Sequence, residues 1–224
     1  MSTIHLNSSW LVPLDQLSEA QGLLPQDQFD SIKTIGEWAQ HYLCDPHPNL
    51  GREGVVCPFV KLTIQKKQMW LNVLSPDEVD KATLTTTLRN YKNWLLELEP
   101  IDSSSKVMLL VMPFFKPEVH FNHVIDALQE LDAELVDQFV SIGTFFPNNA
   151  APGMRNPEFR QFYSPIPLFV IRSTTVHDFP FIMRRTNKQA RLNQYFSKFA
   201  PDIPKNVREE IVSVLADTKA NKVS

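Results

Sequence analysis

Apolar positions along the chain switch between helical and strand-like spacing, and the switches mark out its elements. Phe29, Ile32, Ile35, Trp38, Ala39 and Tyr42 recur at three- and four-residue steps and predict an amphipathic helix over 29–43. Pro46 and Pro48, in Cys44-Asp45-Pro46-His47-Pro48, bar its continuation. Val60, Leu62 and Ile64 then alternate with Lys61, Thr63 and Gln65, the period of a half-exposed strand. Lys66-Lys67-Gln68 turns this strand into a second, Met69 to Leu74, so the pair is expected to form a hairpin. Ser75-Pro76-Asp77-Glu78 reads as a helix start, with Ser at N-cap, Pro at N1 and Glu at N3. Leu84, Leu88, Tyr91, Trp94, Leu95 and Leu98 carry that helix to Glu99.

Lys106 to Pro113 is a near-continuous apolar run, the signature of a strand buried on both faces. Pro117 opens another helix, whose expected buried stripe is Phe121, Val124, Ile125, Leu128, Leu131 and Leu135. Phe139 to Phe145 and Ile166 to Arg172 read as strands, and Lys188 to Phe199 and Pro204 to Asp217 as helices. The order β-β-α-β-α-β-loop-β followed by helices predicts an α+β fold. Its sheet is expected to be mixed and mostly antiparallel, covered by helices as in a decorated ferredoxin-like plait. A three-layer α/β sheet is the alternative. Residues 1–28 lack periodicity and read as an irregular arm, docked through Trp10, Leu11, Val12 and Leu14; residues 29–224 read as one domain.

Composition narrows the function classes. With 43% hydrophobic and 21% charged residues the chain suits a globular protein and not a disordered one. A net charge of −3 supplies no field for nucleic acid, and no basic stripe with interleaved aromatics offers one locally. The start, MSTIHLNSSWLVPL, shows no basic region followed by a long apolar one, so a secretory signal is not expected, and no apolar run is long enough to span a bilayer. Two cysteines are too few for a disulfide framework. A cytoplasmic protein with no nucleic-acid or membrane partner is the expectation.

The stretch Phe145 to Phe181 changes the picture most. It holds Pro147, Pro152, Pro157, Pro165 and Pro167, and proline's fixed φ and missing donor exclude one helix or one central strand. A stiff loop is expected there, presenting Arg155, Arg160 and Arg172, with Arg184 and Arg185 beyond. Guanidinium groups match carboxylate and phosphate in a planar fork, so an anionic ligand is one reading. The other is that these arginines pin the loop through internal carboxylates such as Glu158 or Asp178. Cys57 follows the Gly51–Gly54 turn and precedes Pro58; nearby Arg52 would favour its thiolate, while a small buried apolar role is the competing reading. His41, Cys44, His47 and Cys57 are zinc-type ligands at a spacing that fits no familiar finger, and Cys57-Pro58 is a dipeptide that can ligate haem. His120 and His123 flank the buried stripe and read as a solvated helix face. His177-Asp178 could form a His–carboxylate pair for acid-base work, but adjacent side chains seldom face each other, and the Asp is expected to cap the turn at Phe179-Pro180. Dinucleotide, P-loop, serine-hydrolase and zincin motifs are absent.

His47 to Val60 (HPNLGREGVVCPFV) and Ala151 to Arg172 (APGMRNPEFRQFYSPIPLFVIR) resemble an uncharacterised bacterial family. Its pattern reads HP-x-LGR-x-G-x-VCPF, then PG-x-RNP-x-FR and SP-x-P before an apolar strand ending in Arg. Members are often encoded beside small-molecule biosynthesis genes. The resemblance implies that His47, Gly51, Arg52, Cys57, Pro58, Gly153, Arg155, Asn156, Arg160, Ser164 and Arg172 are shared positions. It also implies a His in relatives where this chain has Phe146, and a basic residue where it has Tyr163. Taken with the residue chemistry, it sets Cys57 and His47 as candidate catalytic residues. Arg52, Arg155, Asn156, Arg160 and Arg172 are then candidate ligand-binding residues, in one pocket made by both motifs. A small-molecule biosynthetic or tailoring protein is the resulting expectation. The alternatives are an assembly protein with structural motifs and a haem or metal protein using Cys57 with His41 or His47; the cofactor is left unassigned.

Overall fold

The computed structural model describes residues 4–6, 9–101, 104–183, 188–205, 207–209 and 211–212. Six strands form one sheet: β1 (Ile4–Leu6), β2 (Ser9–Pro13), β3 (Met69–Val73), β4 (Val107–Val111), β5 (Val140–Phe145) and β6 (Leu168–Ser173). Their spatial order is β1-β2-β3-β4-β6-β5. The helices are α1 (Gln26–Glu37), α2 (Pro58–Gln65), α3 (Leu84–Glu97), α4 (Pro117–Glu130), α5 (Asp132–Asp137), α6 (Phe179–Ile182) and α7 (Lys188–Phe199). The fold is α+β, as the element order predicts. Among the described pairings β3–β4 is parallel, and β1–β2, β2–β3 and β4–β6 are antiparallel.

The chain divides into two compact units. The first comprises Met1–Leu131 and Ile142–Ser173, the second Asp132–Ser141 and Thr174–Ser224. In the first, every residue of β4 is buried, because the strand has neighbours on both edges and side chains on both faces. Met69, Leu71, Val107, Leu109, Val111 and Leu168 point to one face, alternating with Trp70, Met108, Leu110, Phe169 and Ile171 on the other. The first set packs with Phe29, Ile32, Ile35 and Trp38 of the α1 region and Val60 of α2. On the opposite face Asn72 donates a hydrogen bond to the Tyr91 hydroxyl of α3, which also packs on β4 and β6. This unit is therefore three-layered. α3 joins two adjacent parallel strands, β3 and β4, whereas a plait would insert another strand between them.

Four local expectations differ from the structure. The helix expected from Ser75 begins at Leu84, because the Ser75–Glu78 capping box closes a separate 3-10 turn over Pro76–Val79. Residues 60–65 are helical, not a strand, so the expected hairpin with Met69–Val73 does not form. The partner on that edge is β2, from the stretch expected to be an irregular arm, where Leu11, Val12 and Leu14 are buried. On α4 the buried positions are Val124 and Ala127; Phe121 and Ile125 are each 39% exposed. Half of the expected helix at Pro204 to Asp217 lies outside the described residues, as do Arg184 and Arg185.

The second unit has its own core of Phe179, Ile182, Leu192, Tyr195, Ile203 and Ile211. Arg191 of α7 pairs with Asp132 at the start of α5. The Tyr195 hydroxyl donates to the Val176 carbonyl, and burial, with Asp178 nearby, pushes its pKa up to about 12. Asp178 accepts from the Thr175 backbone N–H, a capping role one turn earlier than the sequence suggests. Among the described residues no helix is long and apolar enough to cross a membrane.

Candidate functional site

The candidate site lies wholly in the first unit and starts where α1 ends. Its last turn widens to a π-helix over Trp38–Tyr42, closed by Leu43 N–H donating to the Trp38 carbonyl at 3.2 Å. Such widenings recur at functional sites because they re-aim side chains. Here Trp38 and Tyr42 stack, with ring centroids 6.2 Å apart. The chain then turns at Pro48–Leu50 and returns as a short ribbon. Pro46 bridges Val55, Val56 N–H donates to Asp45 O at 3.0 Å, and Cys57 N–H donates to Leu43 O at 2.8 Å. Cys57 is the N-cap of α2, with Pro58 at the first helical position, where its missing donor costs nothing.

The proline-rich loop between β5 and β6 is a shaped structure. Pro152 bridges Arg160, Gly153 N–H donates to Phe159 O at 2.7 Å, and Phe146 N–H donates to Phe162 O at 3.2 Å. Gly153 is required: a Cβ there would lie 2.6 Å from the Asn156 carbonyl oxygen. The Ser164 hydroxyl, fully buried, closes the loop's end by donating to Ile166 O at 2.7 Å.

The two motif loops meet. Asn156 Nδ2 donates to Asn49 O at 2.9 Å, while its Oδ1 accepts from Glu158 N–H at 3.0 Å. Gly51, at φ 75°, brings its backbone so close that an added Cβ would sit 3.1 Å from Cβ of both Arg155 and Asn156. Aromatic rings continue the junction. His47 lies 5.2 Å from Phe159 and 5.7 Å from Tyr42, and Tyr42 lies 5.7 Å from Tyr163. Trp38 meets Phe145 at 6.1 Å, and Phe145 meets Phe162 at 5.2 Å. Burial, and then Tyr163, push the Tyr42 phenol above its ordinary value. Trp38 Nε1 is buried and has no hydrogen-bond partner among the described residues.

The candidate residues divide by what they touch. His47 Nδ1 accepts the Asn49 N–H at 3.1 Å, so the neutral ring carries its proton on Nε2. Both terminal nitrogens of Arg52 hold its own turn, donating to Glu53 O at 2.9 Å and Val56 O at 3.0 Å. Arg160 likewise donates to Pro157 O at 2.8 Å. Arg172 donates to Ser173 O at 2.9 Å and lies over the Phe59 ring, 5.2 Å from its centroid. Arg155 is exposed, and among the described residues no carboxylate or carbonyl engages its guanidinium. Cys57 is partly buried, and no described side chain hydrogen-bonds its thiol.

Among the described residues no group of three or more His, Cys, Asp or Glu is placed to hold a metal ion, so His41, Cys44, His47 and Cys57 do not assemble as one. His120 and His123 line a cleft of about 310 Å³ with Asp77, Asp80, Phe114 and Val119. The solvated-face expectation for these histidines missed this cleft, because its acidic wall comes from the distant 76–80 turn. No residue of either motif loop lines it. Tyr42, Phe159 and Tyr163 also escaped the sequence reading, since ring contacts across loops leave no spacing signal.

Residues 32–210 match a family model described as "Domain of unknown function (DUF6875)". The chain belongs to this family. No curated protein matches the chain, and no solved structure does. The family span contains both motif loops, the second half of α1 and all of α2 to α7, while β1 and β2 precede it.

Proposed function

We propose that this DUF6875 protein binds a small anionic molecule at the junction of its two motif loops, as a small-molecule biosynthetic or tailoring protein. One observation carries the reading: Arg155 is uncommitted, yet its neighbour Asn156 is tied to Asn49 and its own Cβ abuts Gly51. A cation on a backbone held from both sides loses little freedom on binding, which favours affinity. Its fork suits a carboxylate or phosphate. Phe159, His47, Tyr42 and Tyr163 supply rings for an apolar body beside that charge. The resemblance to a bacterial family encoded beside small-molecule biosynthesis genes points the same way.

On this reading Arg52, Arg160 and Asn156 build the loops, and Arg155 reads the ligand. His47, with its proton on Nε2 and its ring against the opposite loop, offers that N–H as a hydrogen-bond donor to the ligand. Cys57 has no hydrogen-bonded base to activate it and is not assigned as the nucleophile. The bonds of Arg52 and Arg160 to loop carbonyls also favour a second reading, an assembly protein whose motifs are structural.

A thermal-shift screen of carboxylate and phosphate metabolites on wild type and Arg155→Ala separates the two. A ligand at a hundredfold its Kd raises Tm by roughly 5 °C or more for a chain of this size. Arg155→Ala, an exposed substitution, leaves the unliganded Tm within about 2 °C of wild type and erases that shift. A shift that survives Arg155→Ala, or no shift across the screen, removes the anion-site reading.

A further inference from the structure

The ribbon that carries the first motif also brings together the chain's two cysteines, Cys44 and Cys57. Cys44 lies between Leu43 and Asp45, whose carbonyls accept the N–H groups of Cys57 and Val56 at 2.8 and 3.0 Å. The backbone on both sides of Cys44 is thus tied to Cys57 and its neighbour, which sets the two cysteines side by side, as a disulfide's short Cα separation of about 4.4–6.8 Å requires. Both thiols are partly buried, and both pack against the same hydrophobic core. No described side chain hydrogen-bonds either sulfur. Burial, then Cys57, then Asp45 raise the Cys44 pKa, with Lys61 opposing them, which agrees with two adjacent sulfurs.

We propose that Cys44 and Cys57 are a redox-active dithiol that closes to an intramolecular disulfide by exchange with a low-molecular-weight disulfide of the glutathione class. One cysteine thiolate attacks the small disulfide, forming a mixed disulfide and expelling one small thiolate. The second cysteine thiolate attacks the protein-side sulfur of that bond and expels the other. The two protons lost by the cysteines end on the two departing thiols, and two electrons pass from the protein to the small disulfide. A dithiol reductant reverses the reaction. The disulfide closes a ring containing His47, Gly51 and Arg52, so oxidation state sets how freely the first motif loop moves. A disulfide of this kind, in a chain with too few cysteines for a framework, fits the reversible class and not the structural one. The inference does not depend on the anion-site reading, because it concerns the ribbon's chemistry whether or not a ligand binds.

The test uses the full chain under native conditions, equilibrated in buffers from fully reduced to fully oxidised glutathione, then acid-quenched and alkylated. Intact mass is expected to change from a doubly alkylated species to one lighter than the reduced chain by two hydrogens, with no alkylation. A peptide map then shows Cys44 linked to Cys57. Cys44→Ser and Cys57→Ser each stop at a single glutathione adduct. If a variant fails to fold, the wild-type peptide map decides alone. Accumulation of unclosed glutathione adducts, a disulfide between two chains, or persistence of two free thiols in oxidised buffer overturns the proposal.

Discussion

Gly51 shows how one residue type can be dictated twice. Its φ of 75° lies in the left-handed region, and the space a Cβ would fill is bounded by Arg155 and Asn156 of the other loop. Gly51→Ala should therefore cost about 1–2 kcal/mol from backbone conformation, plus displacement of the opposing loop. Urea unfolding would show it as a lowered midpoint. The sequence marks Gly51 and Gly54 as a tight path, because few residues tolerate such a backbone. It does not reveal Asn156 as the tie between loops, because a side-chain bond to a backbone carbonyl leaves no mark on the acceptor residue. Arg52, Arg155 and Arg160 look alike as letters. Only the local fold decides that two of them hold carbonyls while the third stays uncommitted.

At the scale of elements, strong periodicity was legible and short segments were not. The runs behind α1, α4, β3, β4 and β6 stand close to their expected places. α2 is the instructive exception. Six residues alternating apolar and polar fit a strand, yet the buried positions are Val60 and Thr63, three apart, with Leu62 42% exposed. Thr63 is accommodated in the core because its single O–H is shared between Phe59 O and Ser105 O, at 3.0 and 2.9 Å. A polar residue in a core position broke the helical pattern. Lys106 is hidden in the same way. It is 1% exposed and donates to the carbonyls of Leu96, Leu98 and Ile101, at and just past the C-terminus of α3, where a cation also meets the negative end of the helix dipole. Lys106→Met should leave those carbonyls without their charged donor and destabilise the fold by about 2–3 kcal/mol, read from chemical denaturation. A loss under about 0.5 kcal/mol, the level of an ordinary surface change, would refute the capping role.

At the scale of the molecule, the sheet explains why loops about a hundred residues apart share one site. α1 covers one face of the sheet, and its widened last turn sets Trp38 against Phe145 at the end of β5. The first loop leaves from that turn and the second from that strand, so both start in the same place. The α+β class and the mixed sheet followed from element order, but the β6-between-β4-and-β5 arrangement did not, because strand order is settled by long-range pairing that no local window contains. The central claim is that the two loops behave as one structure. Native-state hydrogen exchange on wild type and Asn156→Ala tests it most directly, reading Val56 and Cys57 amides in the first loop and Gly153 and Phe159 amides in the second. Loss of the Asn156–Asn49 bond, worth about 1 kcal/mol, should speed exchange roughly fivefold in both loops together. Faster exchange in the second loop with Val56 and Cys57 unchanged would contradict a single joined site.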